Sequence, residues 1–353
     1  MNTPNLKVYS FEEAFSFQSL LDAHQRCRRN KNHKREVVDF ELNLTQNIIK
    51  LSNAILNGTY EIPCYRNFVI FEPKKRNIES LGYRHRLVQA VLCKKILEPV
   101  LERHIIQTNC ACRCSKGTGY ARDMFELYLH KMAKKKKSNA YFLKCDVRKY
   151  FASIDHEILI QKLAKAGFET KAFNLIKLII NSHNQNTGVG IPIGNQTSQW
   201  FALFYLDEVD RLIKEKLRLK YYVRYMDDLV IIGDDLEYLK FCKREIIKKG
   251  EKLKLSFNKK TQIRSFKTGV SFIGHLYKVN ESGKVFKLLK YDTKKRVKDN
   301  FKRMSFFYEQ NLLDKSVIYD KVTCYKNYYN SFYGKNFISG LIKKHNLEDC
   351  LKK

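Results

Sequence analysis

The pattern of apolar and polar positions predicts helices in the first hundred residues, interrupted by one strand. A helix is predicted where apolar residues recur at near-helical spacing, at Phe40, Leu44, Ile48, Leu51 and Ile55. Gly58 is expected to end it. Residues 65–71 alternate and are rich in β-branched types, which predicts a strand, and the cationic segment 73–76 predicts a turn. A second amphipathic helix is predicted over 84–104.

The central part of the chain predicts a sheet with helices on one face. Residues 141–147 are apolar enough for a buried strand, and the apolar runs 221–225 and 229–233 predict a hairpin whose tip carries Met226, Asp227 and Asp228. The other elements expected here are helices over 155–166, 197–217 and 236–253 and short strands near Leu255 and over 270–277. This order is close to a split βαβ arrangement, so we expect an α+β fold.

Two domains are expected. Residues 1–284 form the first, with a core over about 139–280, and residues 285–353 form a helical unit rich in Lys and aromatic residues.

The charge balance indicates a polyanionic partner. The chain has 67 Lys and Arg against 36 Asp and Glu, a net charge of +31, interleaved with 21 Tyr and 23 Phe. This combination favours nucleic acid as the partner, and a membrane surface is the weaker alternative. A Lys-rich proteome would also explain part of the excess of basic residues. No stretch approaches the roughly 18 apolar residues of a membrane span, so we expect a soluble, cytoplasmic protein without a membrane partner.

The ten cysteines are scattered except for Cys110, Cys112 and Cys114. Ligands at every second residue differ from the paired spacing of zinc modules, and no second Cys/His pair follows. We therefore expect reduced cysteines with structural roles.

Three aspartates are candidates for metal chemistry. Asp146 lies at the end of a predicted strand, and Asp227 lies at the tip of a predicted hairpin. Phosphoryl transfer onto a 3′-hydroxyl uses two cations about 3.5–4 Å apart, and hard cations prefer carboxylate oxygens. Asp228 points the other way by strand alternation and is expected to be auxiliary. The alternative is that Asp simply favours turns, but carboxylates between strongly apolar strands are costly unless a cation or a basic side chain compensates them.

The motif YMDD at 225–228, preceded by FLKCDVRKYF at 142–151, resembles the reverse transcriptase family, in the same order and over about residues 25–280. The resemblance implies a right-hand polymerase fold with fingers, a split βαβ palm and a helical thumb. It also implies an RNA-directed DNA polymerase that uses dNTPs, template RNA and an RNA/cDNA duplex. Two Mg²⁺ ions, with Mn²⁺ as an alternative, would be held by Asp146, Asp227 and the backbone carbonyl of Val147.

Other site residues are implied by the same resemblance. Phe151 matches the steric gate against a ribose 2′-hydroxyl, although it also suits a core position. FEPKKRNI at 71–78 resembles the fingers loop that grips the triphosphate, so Lys74 or Lys75 and Arg76 are candidate phosphate ligands; a solvated loop is the alternative. Lys259 or Lys260 lies where the family has a lysine near the pyrophosphate. GVSFIGHLY at 269–277 resembles the primer grip, centred on Phe272, Ile273, Gly274 and His275.

The segment IPIGNQTSQ at 191–199 separates subfamilies. Many reverse transcriptases have Gln before the Gly of this nucleotide-binding box, whereas Ile193 precedes Gly194 here. This form, and ACRCSKGTGYA at 111–121, resemble the enzymes of diversity-generating retroelements. That resemblance implies a bacterial or phage-encoded enzyme, copying that is mutagenic at template adenines, and diversification of a target gene. It also implies a small basic barrel-shaped accessory protein that is pentameric.

Other classes predict different features. A group II intron maturase needs a further basic domain after the thumb, and a retron or phage-defence enzyme keeps the carboxylates with different flanking boxes. A non-enzymatic RNA-binding protein with a decayed palm predicts loss of a carboxylate, but Asp146, Asp227 and Asp228 are all present.

Overall fold

A computed structural model describes residues 6–71, 75–333 and 336–351. The chain forms two compact units: the first comprises Met1–Met124, Cys145–Ile231 and Glu237–Gln262, and the second comprises Phe125–Lys144, Ile232–Leu236 and Ile263–Lys353. Within the described ranges, no helix combines the length and apolar character needed to span a membrane. All ten cysteines lie in these ranges, and none forms a disulfide.

The first unit begins with four helices, a hairpin and a further helical stretch. Ser10 and Glu13 form a capping box at the first helix, which fixes where the helical region begins. The antiparallel hairpin pairs Arg66 with Ser80 at its open end and Ile70 with Arg76 at the end next to the connecting loop. The elements are α1 Phe11–Ala14, α2 Phe17–Cys27, α3 Arg35–Glu41, α4 Leu44–Leu56, β1 Arg66–Ile70, β2 Arg76–Ser80, α5 Tyr83–Val91, wider π-type turns over Leu92–Leu97, and α6 Glu98–Leu101.

The single helix predicted through Phe40 and Ile55 is two helices, α3 and α4. Asn43 interrupts it with φ −128° and ψ 45°, outside the helical region. The Asn47 side chain donates a 3.0 Å hydrogen bond to the Phe40 carbonyl, which a continuous helix would leave to the backbone. Helical apolar spacing continues across the break, so the sequence pattern did not reveal it.

The central sheet has four strands in the order β4-β5-β3-β6, where β3 is Tyr141–Asp146, β4 Tyr221–Tyr225, β5 Asp228–Gly233 and β6 Gln262–Ser265. Helices occupy much of the sequence between and around these strands. The helices are α7 Thr118–Lys136, α8 His156–Ala164, α9 Thr170–Asn181, α10 Gln196–Tyr205, α11 Asp207–Arg211, π-type turns over Leu212–Lys216, and α12 Leu236–Lys252. The hairpin and the helices expected after Asp155 and Leu236 are confirmed.

The short strand expected near Leu255 is wrong. Lys254 has a left-handed φ of 55°, and the N–H of Leu255 donates to the Gly250 carbonyl at 2.9 Å, so the chain turns there. A Cβ on Gly250 would lie 2.5 Å from the ring of Phe257, which shows how closely the turn returns onto α12. The strand forms seven residues later, as β6.

The second unit contains a three-stranded antiparallel sheet and three helices. The sheet order is β7-β8-β9, with β7 Val270–Phe272, β8 His275–Val279 and β9 Val285–Leu289. Aromatic rings support it: Phe142 stacks on Phe266 at 4.5 Å, and Phe125 contacts Tyr277 at 4.9 Å. The helices are α13 Tyr291–Glu309, α14 Lys315–Tyr333 and α15 Asn336–Lys344, which share a core that includes Val297, Phe301, Ile318, Val322, Ile338 and Leu347.

The expectation that the chain is helical from about residue 285 is wrong for its first five residues. Val285–Leu289 pairs antiparallel with β8, with Lys287 opposite Tyr277, and its residues alternate in exposure. The turn before it contains Gly283 at φ 87°, a left-handed conformation that suits glycine. The helical part begins at Tyr291.

Candidate active site

Asp146 is held by the segment that follows α12. Its backbone N–H donates to Thr261 Oγ1 at 3.1 Å, and its carbonyl accepts from the Asn258 N–H at 3.0 Å. The Asn258 side-chain amide donates directly to the Asp146 carboxylate. Val147 next to it is buried and bridges Phe257. The carboxylate is therefore fixed at the end of β3 from both its main chain and its side chain.

Asp227 occupies a strained two-residue turn. Strand β4 ends at Tyr225 and β5 begins at Asp228, so Met226 and Asp227 alone connect them. Met226 has φ 56°, a left-handed conformation that non-glycine residues rarely adopt. The strands on both sides are buried, with Tyr222 and Val230 almost fully inaccessible. Strain at a turn with this burial is typical of a functional site.

The electrostatic environment of Asp227 is unfavourable for its negative charge. Burial raises the pKa of Asp227 above its ordinary value, and the charges of Asp146 and Asp228 raise it further. Its own backbone hydrogen bond and the guanidinium of Arg76 oppose these effects without reversing them. A bound cation relieves the repulsion among crowded carboxylates and favours the charged form of Asp227.

The donor set fits divalent cations, with oxygen from two carboxylates at its centre. Asp146 and Asp227 would hold them, together with the Val147 carbonyl, and Asp228 adds negative charge from the start of β5. Across residues 6–71, 75–333 and 336–351, no three or more His, Cys, Asp or Glu side chains are grouped so that they could hold a metal ion. A set of two carboxylates would leave coordination positions for substrate oxygens, which catalytic metal centres require.

Phe151 lies in a 3₁₀ turn, Tyr150–Ser153, that follows Lys149 at φ 45°. Its carbonyl accepts the N–H of Ile191 at 2.9 Å, and its half-buried ring meets Tyr150 edge-on at 5.9 Å. Tyr150 is buried and donates to the Ala202 carbonyl at 2.5 Å. Phe151 is thus anchored through its neighbours while its ring keeps partial exposure.

The segment around Ile193 and Gly194 contacts the hairpin of the first unit. The N–H of Glu79 on β2 donates to the Ile193 carbonyl at 3.0 Å. Gly194 has φ 145°, and a Cβ there would lie 2.4 Å from the Glu79 carbonyl oxygen. Only glycine fits this approach. The Ile193 side chain is half-buried.

The candidate phosphate ligands lie at the start of β2. Arg76 is exposed and close enough to affect the charge state of Asp227. Lys75 is exposed beside it, whereas Lys74 lies outside the described residues. The structure therefore brings Arg76 into the electrostatic field of the carboxylates. Lys259 and Lys260 are both exposed, and the Lys260 N–H donates to Asn258 Oδ1 at 2.7 Å.

The predicted primer-grip residues form the β7–β8 hairpin of the second unit. Phe272 pairs with His275, and the two turn residues have positive φ, Ile273 at 40° and Gly274 at 83°. This is the type I′ geometry that matches the twist of paired strands. A β-branched residue is strained there, and the Ile273 carbonyl contacts His275 Nδ1 at 2.9 Å.

Asn258 and Thr261, which hold Asp146, were not predicted from the sequence, because the family resemblance indicates only the two lysines between them. The signal available was the polar run NKKT directly after a helix and turn. A side-chain amide followed by a hydroxyl three residues later offers both donors and acceptors for a neighbouring strand end.

A family model for reverse transcriptase (RNA-dependent DNA polymerase) matches residues 73–277, more than half of the chain. The chain belongs to the reverse transcriptase family. The matched range contains Asp146, Asp227, Asp228, Phe151 and Arg76, and the expected α+β class of the polymerase fold is confirmed for this family member.

Among solved structures, this reverse transcriptase is similar to telomerase from Candida albicans in complex with the TWJ fragment of telomeric RNA. The identity is 11%, the TM-score is 0.49, and the match covers 80% of this chain and 55% of that chain. The chain therefore spans about half the length of that protein. No curated protein matches the reverse transcriptase described here.

Proposed function

We propose that this chain is an RNA-directed DNA polymerase that copies a retroelement template RNA into cDNA. The observation that carries the proposal is the mutual position of Asp146 and Asp227. Strand β3, which ends at Asp146, lies next to β5, and β5 follows the turn that carries Asp227. Burial, as the largest cause, and the charge of Asp146 both raise the pKa of Asp227. Two carboxylates that are 81 positions apart in sequence thus share one electrostatic site, inside the range matched by the reverse transcriptase family.

The reaction is nucleotidyl transfer from a dNTP to a primer 3′-hydroxyl. Two divalent cations, when bound, activate the hydroxyl and neutralise charge that develops on the triphosphate. Asp146, Asp227 and the Val147 carbonyl would supply the oxygen ligands, and the Asn258 amide keeps the Asp146 carboxylate oriented. Arg76 would pair with phosphate oxygens, a role that its bidentate donors suit, and Lys75 would add charge beside it.

Phe151 selects the sugar in this proposal. Its half-buried ring follows the metal-binding strand by five residues, and its backbone is fixed through Ile191. A rigid ring beneath the ribose excludes a 2′-hydroxyl by volume, without any polar contact. The enzyme therefore uses dNTPs rather than ribonucleotides.

Copying is error-prone at template adenines, as in diversity-generating retroelements. The support is Ile193, whose side chain offers no amide where many reverse transcriptases have Gln. Its backbone is engaged by Glu79 and its neighbour Gly194 closes against the same residue, so the side chain position is well defined. Loss of polar contacts beside a nascent pair loosens the geometric check on that pair.

The macromolecular partners follow from charge and subfamily. A net charge of +31 suits template RNA and the RNA/cDNA duplex, with binding that weakens steeply as salt rises. The subfamily resemblance adds a small basic barrel-shaped accessory protein, assembled as a pentamer. The cDNA then diversifies a target gene.

Primer extension tests this function. The purified chain, with a DNA primer annealed to RNA and Mg²⁺, is expected to extend the primer with dNTPs, and sequenced products are expected to carry errors concentrated opposite template adenine. Extension without adenine errors would retain the polymerase and exclude the mutagenic subclass. Absence of RNA-templated extension, both alone and with the accessory protein, would contradict the proposal.

A further inference from the structure

Arg224 is a fully buried charged side chain directly beneath the turn that carries Asp227. It is the third residue before Asp227 and lies on β4, with no exposed surface. Burial of a guanidinium is costly unless every donor is satisfied and a counter-charge is present. A buried arginine at this position therefore needs a specific explanation.

One part of the explanation is a two-point ion pair with Asp210. Arg224 Nε donates to Asp210 Oδ1 at 2.8 Å, and Nη2 donates to Asp210 Oδ2 at 2.6 Å. Asp210 is itself fully buried and also accepts from the Tyr222 hydroxyl at 2.5 Å. This paired geometry fixes the plane of the guanidinium.

The remaining donors hold backbone carbonyls. Nη2 also donates to the Leu203 carbonyl at 2.8 Å on α10, and Nη1 donates to the Met226 carbonyl at 2.9 Å. The main chain of Arg224 is fixed as well, with its N–H donating to the Thr108 carbonyl at 2.9 Å and its carbonyl accepting the Cys110 N–H at 3.0 Å. The guanidinium therefore links a rigid frame to the strained turn.

The contact with Met226 bears directly on Asp227. The Met226 carbonyl and the Asp227 nitrogen belong to one planar peptide unit. Fixing the carbonyl therefore fixes the direction in which the chain enters Asp227, directly after Met226 with its left-handed φ of 56°. The Asp227 carboxylate, crowded by Asp146 and Asp228, is held in place against that repulsion.

We infer that Arg224, clamped by Asp210, is a positioning residue that holds the Met226–Asp227 peptide in the orientation needed for divalent cation binding. This deepens the proposed polymerase function and rests on it for the cation role of Asp227. Residues that orient metal ligands typically change metal affinity or activity by about 10- to 100-fold when altered. Arg224 acts on the backbone of the ligand, so the effect is expected on cation binding rather than on dNTP affinity.

The test compares Arg224→Lys with Tyr222→Phe. Lysine keeps the charge beside Asp210 but lacks the fork that reaches Asp210 and Met226 together. Binding of Mn²⁺ is measured by electron paramagnetic resonance, and the Mg²⁺ dependence of primer extension is measured separately. Arg224→Lys is expected to weaken Mn²⁺ binding and raise the Mg²⁺ midpoint on the order of ten-fold, with an unchanged KM for dNTP. Tyr222→Phe removes a bond to the same Asp210 and leaves the turn contact, so both values are expected to stay at wild type.

A double variant covers the case in which Arg224→Lys does not fold. Asp210→Leu with Arg224→Met removes both buried charges together, a replacement that often preserves or improves stability. A folded double variant is expected to bind Mn²⁺ about ten-fold more weakly than wild type. Wild-type Mn²⁺ affinity and Mg²⁺ midpoint in folded Arg224→Lys, or in the folded double variant, would overturn the inference. Lack of synthesis by the wild-type chain would instead count against the proposed function, and the Mn²⁺ measurement does not depend on it.

Discussion

Glu79 and Ile193 are joined by a 3.0 Å hydrogen bond from the Glu79 N–H to the Ile193 carbonyl, which ties strand β2 to the loop that precedes α10. Arg76, at the start of the same strand, belongs to the electrostatic surroundings of Asp227. The Glu79–Ile193 contact therefore connects the candidate nucleotide-binding box to the strand that begins with a candidate phosphate ligand.

Gly194→Ala is expected to disrupt this connection. The new Cβ would lie 2.4 Å from the Glu79 carbonyl oxygen at a φ of 145°, so β2 or the loop must move. We expect a loss of stability of about 1–3 kcal/mol and a higher KM for dNTP, measured by thermal unfolding and primer extension. Gly119→Ala is the matched control, since nothing lies within 4 Å of its Cβ position and it is in helix α7. Equal stability and equal KM in the two variants would contradict the expected role of the close approach between Gly194 and Glu79.

Ile193→Gln tests whether Ile193 contributes to the proposed errors at template adenines. An amide at this position offers hydrogen bonds around the nascent pair that isoleucine lacks. Each polar discrimination contributes on the order of 1 kcal/mol, or several-fold in error rate. We expect fewer errors opposite template adenine with synthesis retained, measured by sequencing cDNA from one template. Equal adenine error frequencies in wild type and variant would assign Ile193 to packing alone.

Asp227→Asn is expected to stabilise the metal-free protein at neutral pH while it abolishes synthesis. The folded pKa of Asp227 is raised by burial and by the charges of Asp146 and Asp228. Protonation of Asp227 therefore favours the folded state. This stabilisation is complete below the unfolded pKa of about 3.9 and is lost as pH rises through the higher folded pKa.

Melting temperatures in a chelator, measured across pH, check this. The variant is expected to melt a few degrees above wild type at pH 7, with the difference vanishing in acid. Added Mg²⁺ is expected to stabilise wild type more than the variant. A variant that melts below wild type at pH 7 would show that the charged Asp227 carboxylate does not destabilise the folded protein.

Phe151→Ala is expected to admit ribonucleotides. Removal of the half-buried ring opens space for a 2′-hydroxyl without altering Asp146 or Asp227. The ratio of kcat/KM for dNTP over rNTP is expected to fall on the order of ten-fold or more, since only steric exclusion is lost. Persistent discrimination in an active variant would assign the gate to another residue.

Much of the candidate active site could be predicted because it depends on short-range patterns. The apolar runs on both sides of Met226–Asp228 specify a hairpin, and the apolar strand that ends at Asp146 specifies its neighbour. The five residues 285–289 could not be assigned in the same way, since a short apolar run suits a helix or a strand and pairing with β8 decides. Helix α7 was not predicted, and its last turn is cationic, with Lys134, Lys135 and Lys136.

The residues that orient the carboxylates could not be predicted from the sequence, for a different reason. Asn258 reaches Asp146 across 112 positions, and Arg224 reaches Asp210 across 14. The first contact depends on how the chain turns after α12, and the second depends on how β4 packs against α11. Sequence spacing contains no record of such tertiary contacts.

The most direct measurement of the central claim is Mg²⁺-dependent primer extension on an RNA template by Asp146→Ala and Asp227→Ala variants, with RNA binding measured on the same preparations. We expect extension to be abolished and RNA binding to remain close to wild type, because the two carboxylates serve the cations and the basic surface serves the duplex. Glu251→Gln, an exposed acid on α12, is expected to extend normally. Extension by a folded Asp227→Ala protein would contradict the account.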